Sequence, residues 1–172
     1  MKNRESGLTL IELMIVVALF GVMAVMLSNS YQTWAERYRV ESEVKEFYAD
    51  IMDARARAMQ RNRPHFVALS GAGTEYNRYV VYEDTSPGPD GNGTLESAAD
   101  NTVRDIRPRY PVVTSPAGTT QIRINRDGTL ELDGATIRVP PPDVVRADYD
   151  CIALSRTRIR MGRYDGGSCV ER

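Results

Sequence analysis

Hydrophobic and polar positions fall into three successive patterns along the chain. Residues 8–27, LTLIELMIVVALFGVMAVML, form an apolar run of twenty residues with a single charge at Glu12. As a helix this run is about 30 Å long, which matches the hydrocarbon core of a bilayer. From Tyr31 onward the larger apolar residues recur at Trp34, Tyr38, Val44, Phe47, Tyr48, Ile51, Met52 and Met59. Steps of three and four mark one face of an amphipathic helix. Glu36, Arg37, Glu41, Glu43, Lys45, Asp50 and Arg57 fall on the opposite face. Pro64 limits the helix, because the residue before a proline is pushed out of the helical region. No proline interrupts the chain between Met1 and Arg63, so the pattern predicts one helix of about 80 Å over residues 8–62. Its second half cannot bury its stripe alone.

Beyond Pro64 the period changes from that of a helix to that of a strand. FVALS (66–70) and RYVVYE (78–83) are β-rich, with Gly71 and Gly73 between them. TVRDIR (102–107) alternates in part. Ile122 and Ile124 alternate with Arg123 and Asn125, Asp127-Gly128 turns, Leu130 and Leu132 flank Glu131, Asp133-Gly134 turns again, and Ile137 and Val139 close a meander. Asp-Gly flanked by alternating apolar residues is a strong hairpin cue. CIALS and TRIRM supply two last strands around a turn at Ser155 and Arg156. One helix followed by about seven short strands predicts an α+β fold with an antiparallel sheet.

Composition narrows the function classes. The 172 residues are 42 % hydrophobic and 26 % charged with a net charge of −1, a globular balance with no overall bias toward nucleic acid or cations. Two cysteines, Cys151 and Cys169, and one histidine, His65, are too few for a zinc site made of Cys and His alone. Nucleophile-elbow, phosphate-loop and paired-histidine metal motifs are missing from the sequence, so no catalytic residue and no cofactor is expected. His65, beside Pro64, reads as a helix-end or surface residue.

Lys2 and Arg4 precede the apolar run, which places the N-terminus in the cytoplasm and the rest of the chain outside. A conventional signal peptidase would need small residues after the run. Ser28 and Ser30 offer that only weakly. Gly7, without a side chain, gives a peptidase close access to the bond between Gly7 and Leu8.

The string G-LTLIEL-MIVVALFGVMAVML resembles the class III signal of type IV pilins and pseudopilins. The resemblance implies cleavage after Gly7 by a membrane aspartyl prepilin peptidase and N-methylation of Leu8. It implies that residues 1–7 are a leader, 8–27 a transmembrane and filament-core helix, 28–63 an amphipathic helix continuing into the globular part, and 64–172 a periplasmic β-rich domain, together a pilin fold. It gives Glu12 a role in assembly, as partner of the positive N-terminus of a neighbouring subunit. The physics agrees: a carboxylate at the centre of a membrane helix costs ~2.5–3.5 kcal/mol. Glu12 is only about 6 Å along the helix from Leu8, within reach of the interface. In a drier filament, losing one partner of such a pair costs ~3–5 kcal/mol. A plain single-pass anchor with a snorkelling glutamate is the alternative. The proline that often kinks major pilins is missing, which suits a minor pilin or pseudopilin.

QIRINRDGT and CIALSRTRIRMGRYDGGSC are similar to the C-terminal halves of the GspH/FimT group of minor pseudopilins and minor pilins. Arg156 and Thr157 depart from the Thr-Gly or Ser-Gly usual at that turn. The group implies a structural minor subunit of a type IV pilus or type II secretion pseudopilus, at an initiation or tip complex. Its partners would be other pilin or pseudopilin subunits, the prepilin peptidase and an inner-membrane assembly platform. With export, Cys151 and Cys169 are expected to form a disulfide, the alternative being two free thiols.

The C-terminal tail is basic, with Arg156, Arg158, Arg160, Arg163 and Arg172 against Asp165 and Glu171. An arginine row fits phosphate contact, and some members of the resembled group bind DNA during uptake. Only Tyr164 is near for base stacking, so the row reads first as a solvated strand face or a contact with acids on a neighbouring subunit, with DNA contact the alternative. Residues 84–101 are acidic and turn-rich. Asp90, Asn92, Thr94 and Glu96 alternate as in a calcium loop, but the twelve-residue pattern is incomplete, so an exposed connection and no metal is the expectation.

Overall fold

The structure, a computed structural model, describes residues 9–88, 91–140 and 146–171, leaving aside the side chains of residues 25–30. The chain divides into two units, Met1–Glu36 and Arg37–Arg172. One helix, α1 (Leu10–Arg61), enters both. It begins where the Thr9 carbonyl accepts the amide of Leu13 at 3.2 Å. It ends where Asn62 takes a positive φ of 52° and the Arg63 amide returns to the Ala58 carbonyl at 3.2 Å. Asn tolerates that left-handed position better than most residues, and Pro64 then prevents further helix.

In the second unit α1 lies with nine strands in one antiparallel sheet: β1 (His65–Ala72), β2 (Glu75–Glu83), β3 (Asn101–Ile106), β4 (Val112–Ser115), β5 (Gln121–Ile124), β6 (Ala135–Arg138), β7 (Cys151–Leu154), β8 (Ile159–Tyr164) and β9 (Cys169–Glu171). The spatial order is β5-β1-β2-β4-β6-β7-β8-β9, and β3 pairs with β2 beside that path. β2 therefore divides one edge, pairing Tyr79–Glu83 with β3 and Glu75–Tyr76 with β4.

The helix face that reaches the core is Val40, Val44, Phe47, Ile51, Ala54 and Ala58, at alternating steps of four and three. It meets Val67, Leu69, Tyr79, Val81, Ile122, Ile124, Ile137 and Ile152 in one cluster. The sequence stripe overlaps this row at Val44, Phe47 and Ile51 but not at Trp34, Tyr38, Met52 or Met59, which are exposed. Reading large side chains as core misled there. Ala54 and Ala58, small residues with no size signal, are buried in that cluster.

The acids assigned to the outer helix face also divide. Asp50 is buried, accepts the Tyr79 hydroxyl at 2.7 Å and pairs with Arg104. Glu43 accepts the amides of Arg109 at 2.6 Å and Tyr110 at 3.1 Å, and Glu41 accepts that of Asp148 at 3.0 Å. These carboxylates hold loops that cross beside the helix and satisfy amides that no ladder reaches. Burial raises the pKa of Asp50 and of Glu43 above the usual carboxylate range, more than their hydrogen bonds lower it.

The predicted meander does not form as such. β5 pairs with β1, while its hairpin across Asp127-Gly128 is short: Ile124 bridges Leu130, the Asn125 amide donates to the Thr129 carbonyl at 2.8 Å and the Glu131 amide to the Arg123 carbonyl at 3.0 Å. β6 instead lies between β4 and β7. The Asp127-Gly128 turn is present: Gly128 has φ +77°, and Asp127 accepts the amide and hydroxyl of Thr129 at 2.9 and 2.7 Å. A register of alternating residues fixes which face a strand shows, not which strand it joins. β4 and β9, of four and three residues, are too short for alternation to mark them. β4 sits between Pro111 and Pro116, and β9 holds Cys169, which forms a disulfide with Cys151 of β7.

Candidate functional site

Three regions carry the residues singled out by sequence. The first is the start of α1. Leu10, Ile11, Leu13, Met14, Ile15, Val17, Leu19, Phe20, Val22 and Met23 are all exposed. A helix apolar all round is stable only when its whole surface is covered. Among the described residues no helix is long and apolar enough to cross a membrane. The predicted span, residues 8–27, reaches beyond the described side chains at both ends. Gly7 and Leu8 also lie outside the described residues.

Glu12 stands in the first turn of α1, with its amide 3.1 Å from the Thr9 carbonyl. A negative charge there faces the positive end of the helix dipole. Thr9-Leu10-Ile11-Glu12 has the spacing of a capping box, a local signal that the sequence reading passed over. The same carboxylate is thus suited to the helix start in the isolated chain.

The second region is the C-terminal hairpin pair. β7 and β8 pair from Cys151↔Gly162 to Leu154↔Ile159, and β8 and β9 from Gly162↔Glu171 to Tyr164↔Cys169. Cys151 and Cys169 form a disulfide with Cα atoms 5.9 Å apart. Gly162 lies against it: a Cβ there would run into the Val170 carbonyl and come within 3.2 Å of the Cys169 Sγ. Arg156, Arg158 and Arg160 are exposed and Arg163 is half-buried. Arg160 pairs with Glu171 at 2.7 Å, so part of the row's charge is met within its own hairpin. Arg156 and Arg158 lie in the β7–β8 turn, where Ser155 donates to the Arg158 carbonyl at 2.8 Å. Arg138 stacks 4.5 Å from the centre of the Tyr164 ring. Asp150, nearly buried, accepts the Tyr164 amide at 2.6 Å, and burial raises its pKa. Arg172 lies outside the described residues.

The third region is the acidic connection. Among the described residues, its buried acids are Asp84 and Asp100. Asp84 accepts the amides of Asn92 at 3.2 Å and Gly93 at 2.6 Å. Asp100 accepts those of Thr85, Ser86 and Glu96 at 3.0, 3.2 and 2.7 Å. Glu96 joins them so that one oxygen of each residue lies within 4.8 Å of the others, a set able to hold a cation. The alternating set read from sequence is not that set. Asn92 and Thr94 bond Glu96 Oε1 at 2.6 and 3.1 Å, and Asp90 lies outside the described residues. The two aspartates have a structural account without a metal, since backbone amides occupy their oxygens.

His65 is not at the surface. It is fully buried, with Nδ1 3.2 Å from the Arg63 carbonyl and no hydrogen-bond partner for Nε2 among the described residues. Beside it on β2, Glu83 is 1 % exposed and pairs with Arg61 and Arg63. The cross-strand register His65↔Glu83 could not be read from the Pro64-His65 dipeptide. Burial lowers the His65 pKa, against the Arg63 carbonyl and Glu83, which raise it.

The fold matches solved structures. The type IV minor pilin FimU of Pseudomonas aeruginosa aligns with TM-score 0.58 and 17% identity over 80% of this chain and 99% of that one. The minor pseudopilin EPSH of the Vibrio cholerae type II secretion system aligns with TM-score 0.51 and 7% identity over 77% and 99%. At these identities the likeness establishes the pilin fold. No curated protein matches the chain. Residues 2–28 match the prokaryotic N-terminal methylation motif. Residues 43–157, more than half of the chain, match the type II transport protein GspH, and the chain belongs to the GspH family.

Proposed function

We propose that this chain is a structural minor subunit of a type IV pilus or type II secretion pseudopilus, matured by cleavage after Gly7 and methylation of Leu8. The observation that carries the reading is the methylation motif over residues 2–28, running into a helix start whose apolar side chains are exposed on every side. Residues 8–27 first anchor the chain in the inner membrane, with the C-terminal domain in the periplasm. They then enter the core of a helical filament built with other pilin or pseudopilin subunits, through the assembly platform. Glu12 opposes the methylated N-terminus of a neighbour and fixes axial register, and the low-copy subunit acts at an initiation or tip complex. The role is mechanical and needs no catalytic residue.

Replacing Glu12 tests the assembly step. Glu12→Ala leaves a charged N-terminus unpaired in a dry bundle, a loss of ~3–5 kcal/mol. The variant is expected to be processed and to stay in the membrane, yet to be missing from sheared filaments. Incorporation at the parental level would contradict the reading.

A DNA-uptake role is the second reading, carried by the exposed Arg156 and Arg158. It predicts binding by the chain that falls steeply with salt and is lost in Arg156→Ala/Arg158→Ala. No binding at low salt would leave the structural role alone.

A further inference from the structure

Resting on the membrane stage of that reading, we infer that Tyr31 and Trp34 form an aromatic anchor in the headgroup layer on the periplasmic side of the bilayer. The two rings lie on one side of α1, three residues apart, with centroids 6.1 Å apart and planes 36° from parallel. Both are exposed, at 67% and 60%. Each has an apolar body and a polar tip, a combination suited to a surface that is greasy below and wet above.

Their position along the helix selects that surface. α1 is continuous from Leu10 through both residues, so sequence distance reads as depth. Tyr31 lies about 6 Å and Trp34 about 10 Å beyond Leu27, the last residue of the apolar run. The headgroup layer is roughly 5–8 Å thick on each side of the hydrocarbon core. Long helical side chains lean back toward the N-terminus, and helix tilt shortens the projection further. Both rings therefore reach headgroup level, and the polar triplet Ser28-Asn29-Ser30 marks the boundary below them. Trp and Tyr are the residues enriched at this level in membrane proteins. The anchor has a consequence at the far end of the run: by fixing the helix against sliding, it holds Glu12 near the cytoplasmic interface, where its carboxylate stays hydrated.

Trp34 is the only tryptophan in the chain, so its emission reports on this position alone. The full chain is reconstituted in phosphatidylethanolamine–phosphatidylglycerol vesicles, and its flotation with the vesicles is scored separately. The expected result is blue-shifted emission with weak quenching by iodide. Lipids brominated near the ester should quench it more strongly than lipids brominated near the chain end. Tyr31→Ser should reduce quenching by the shallow bromines. A chain that floats while Trp34 is open to iodide and untouched by either lipid would overturn the anchor and leave the membrane reading standing. Shielding that disappears as the chain is diluted in lipid would assign the rings to a second copy and overturn the anchor as well. Failure to float would remove the membrane reading and the anchor with it.

Discussion

Asp50 on α1 accepts the Tyr79 hydroxyl of β2 at 2.7 Å, inside the core of the second unit. Arg104 of β3 closes on the same carboxylate, and the Phe47 ring meets Tyr79 edge-on at 4.4 Å. Helix and sheet are thereby joined by a directional polar contact within an otherwise apolar seam. Tyr79→Phe keeps the ring contact and leaves a buried acceptor short of a donor, a cost of about 1–3 kcal/mol. The change should appear as a lower urea midpoint with an unchanged slope. Burial holds Asp50 above its ordinary pKa, so the folded chain keeps this proton longer than the unfolded one. Its contribution therefore falls as pH rises above 3.8, and Asp50→Asn should remove that part of the pH dependence.

His65 acts in the opposite direction. Burial lowers its pKa below 6.5, so the unfolded chain takes up the proton first as pH falls. The contribution of His65 is present in full above that value and declines as pH falls below it. His65→Leu should flatten the fall in urea midpoint between about pH 7 and pH 5. An unchanged slope would show that His65 does not carry it.

These two residues also show what sequence could and could not convey. The helix was legible because its period and its stop at Pro64 are local, and α1 closes at Arg61 as that signal requires. The α+β class followed from the change of period. The core row was only half legible: Ala54 and Ala58 carry no size signal, and Trp34 is large yet exposed. Asp50 and His65 meet partners 29 and 18 positions away, Tyr79 and Glu83, and no spacing rule links them. Strand order was illegible for the same reason, as β5 returns to β1 across the whole of β2 to β4. At the candidate site the motif around Gly7 and Glu12 was legible because it is contiguous. The division of the arginine row, with Arg160 tied to Glu171, depends on the β8–β9 hairpin, whose last strand is too short to show in the sequence.

Glu83 should be costly to strand. It is 1 % exposed between Arg61 and Arg63, whose side chains are 50% and 29% exposed. Arg61→Ala with Arg63→Ala leaves a buried charge without partners and should cost about 3–5 kcal/mol. Glu83→Gln, which removes that charge and frees two partly solvated arginines, should cost less. The reverse ranking by denaturation would contradict the pairing.

The disulfide closes a loop with a sequence separation of 18 between Cys151 and Cys169. A loop of that size restricts the unfolded chain by about 3 kcal/mol in the entropy account. Cys151→Ser/Cys169→Ser should therefore lower the urea midpoint substantially and make it insensitive to reductant. A parent whose midpoint does not respond to reductant would show that the bond contributes no stability.

Under the proposed function the first seven residues are removed and the new end is modified. The most direct test of that processing is the mass of the N-terminal peptide of the chain purified from the membranes of its native host. That peptide should begin at Leu8 and carry one additional methyl group, and should remain joined to Met1–Gly7 when the prepilin peptidase is deleted. A chain from the intact host that retains the leader, or one cut after residue 27, would contradict the proposed function.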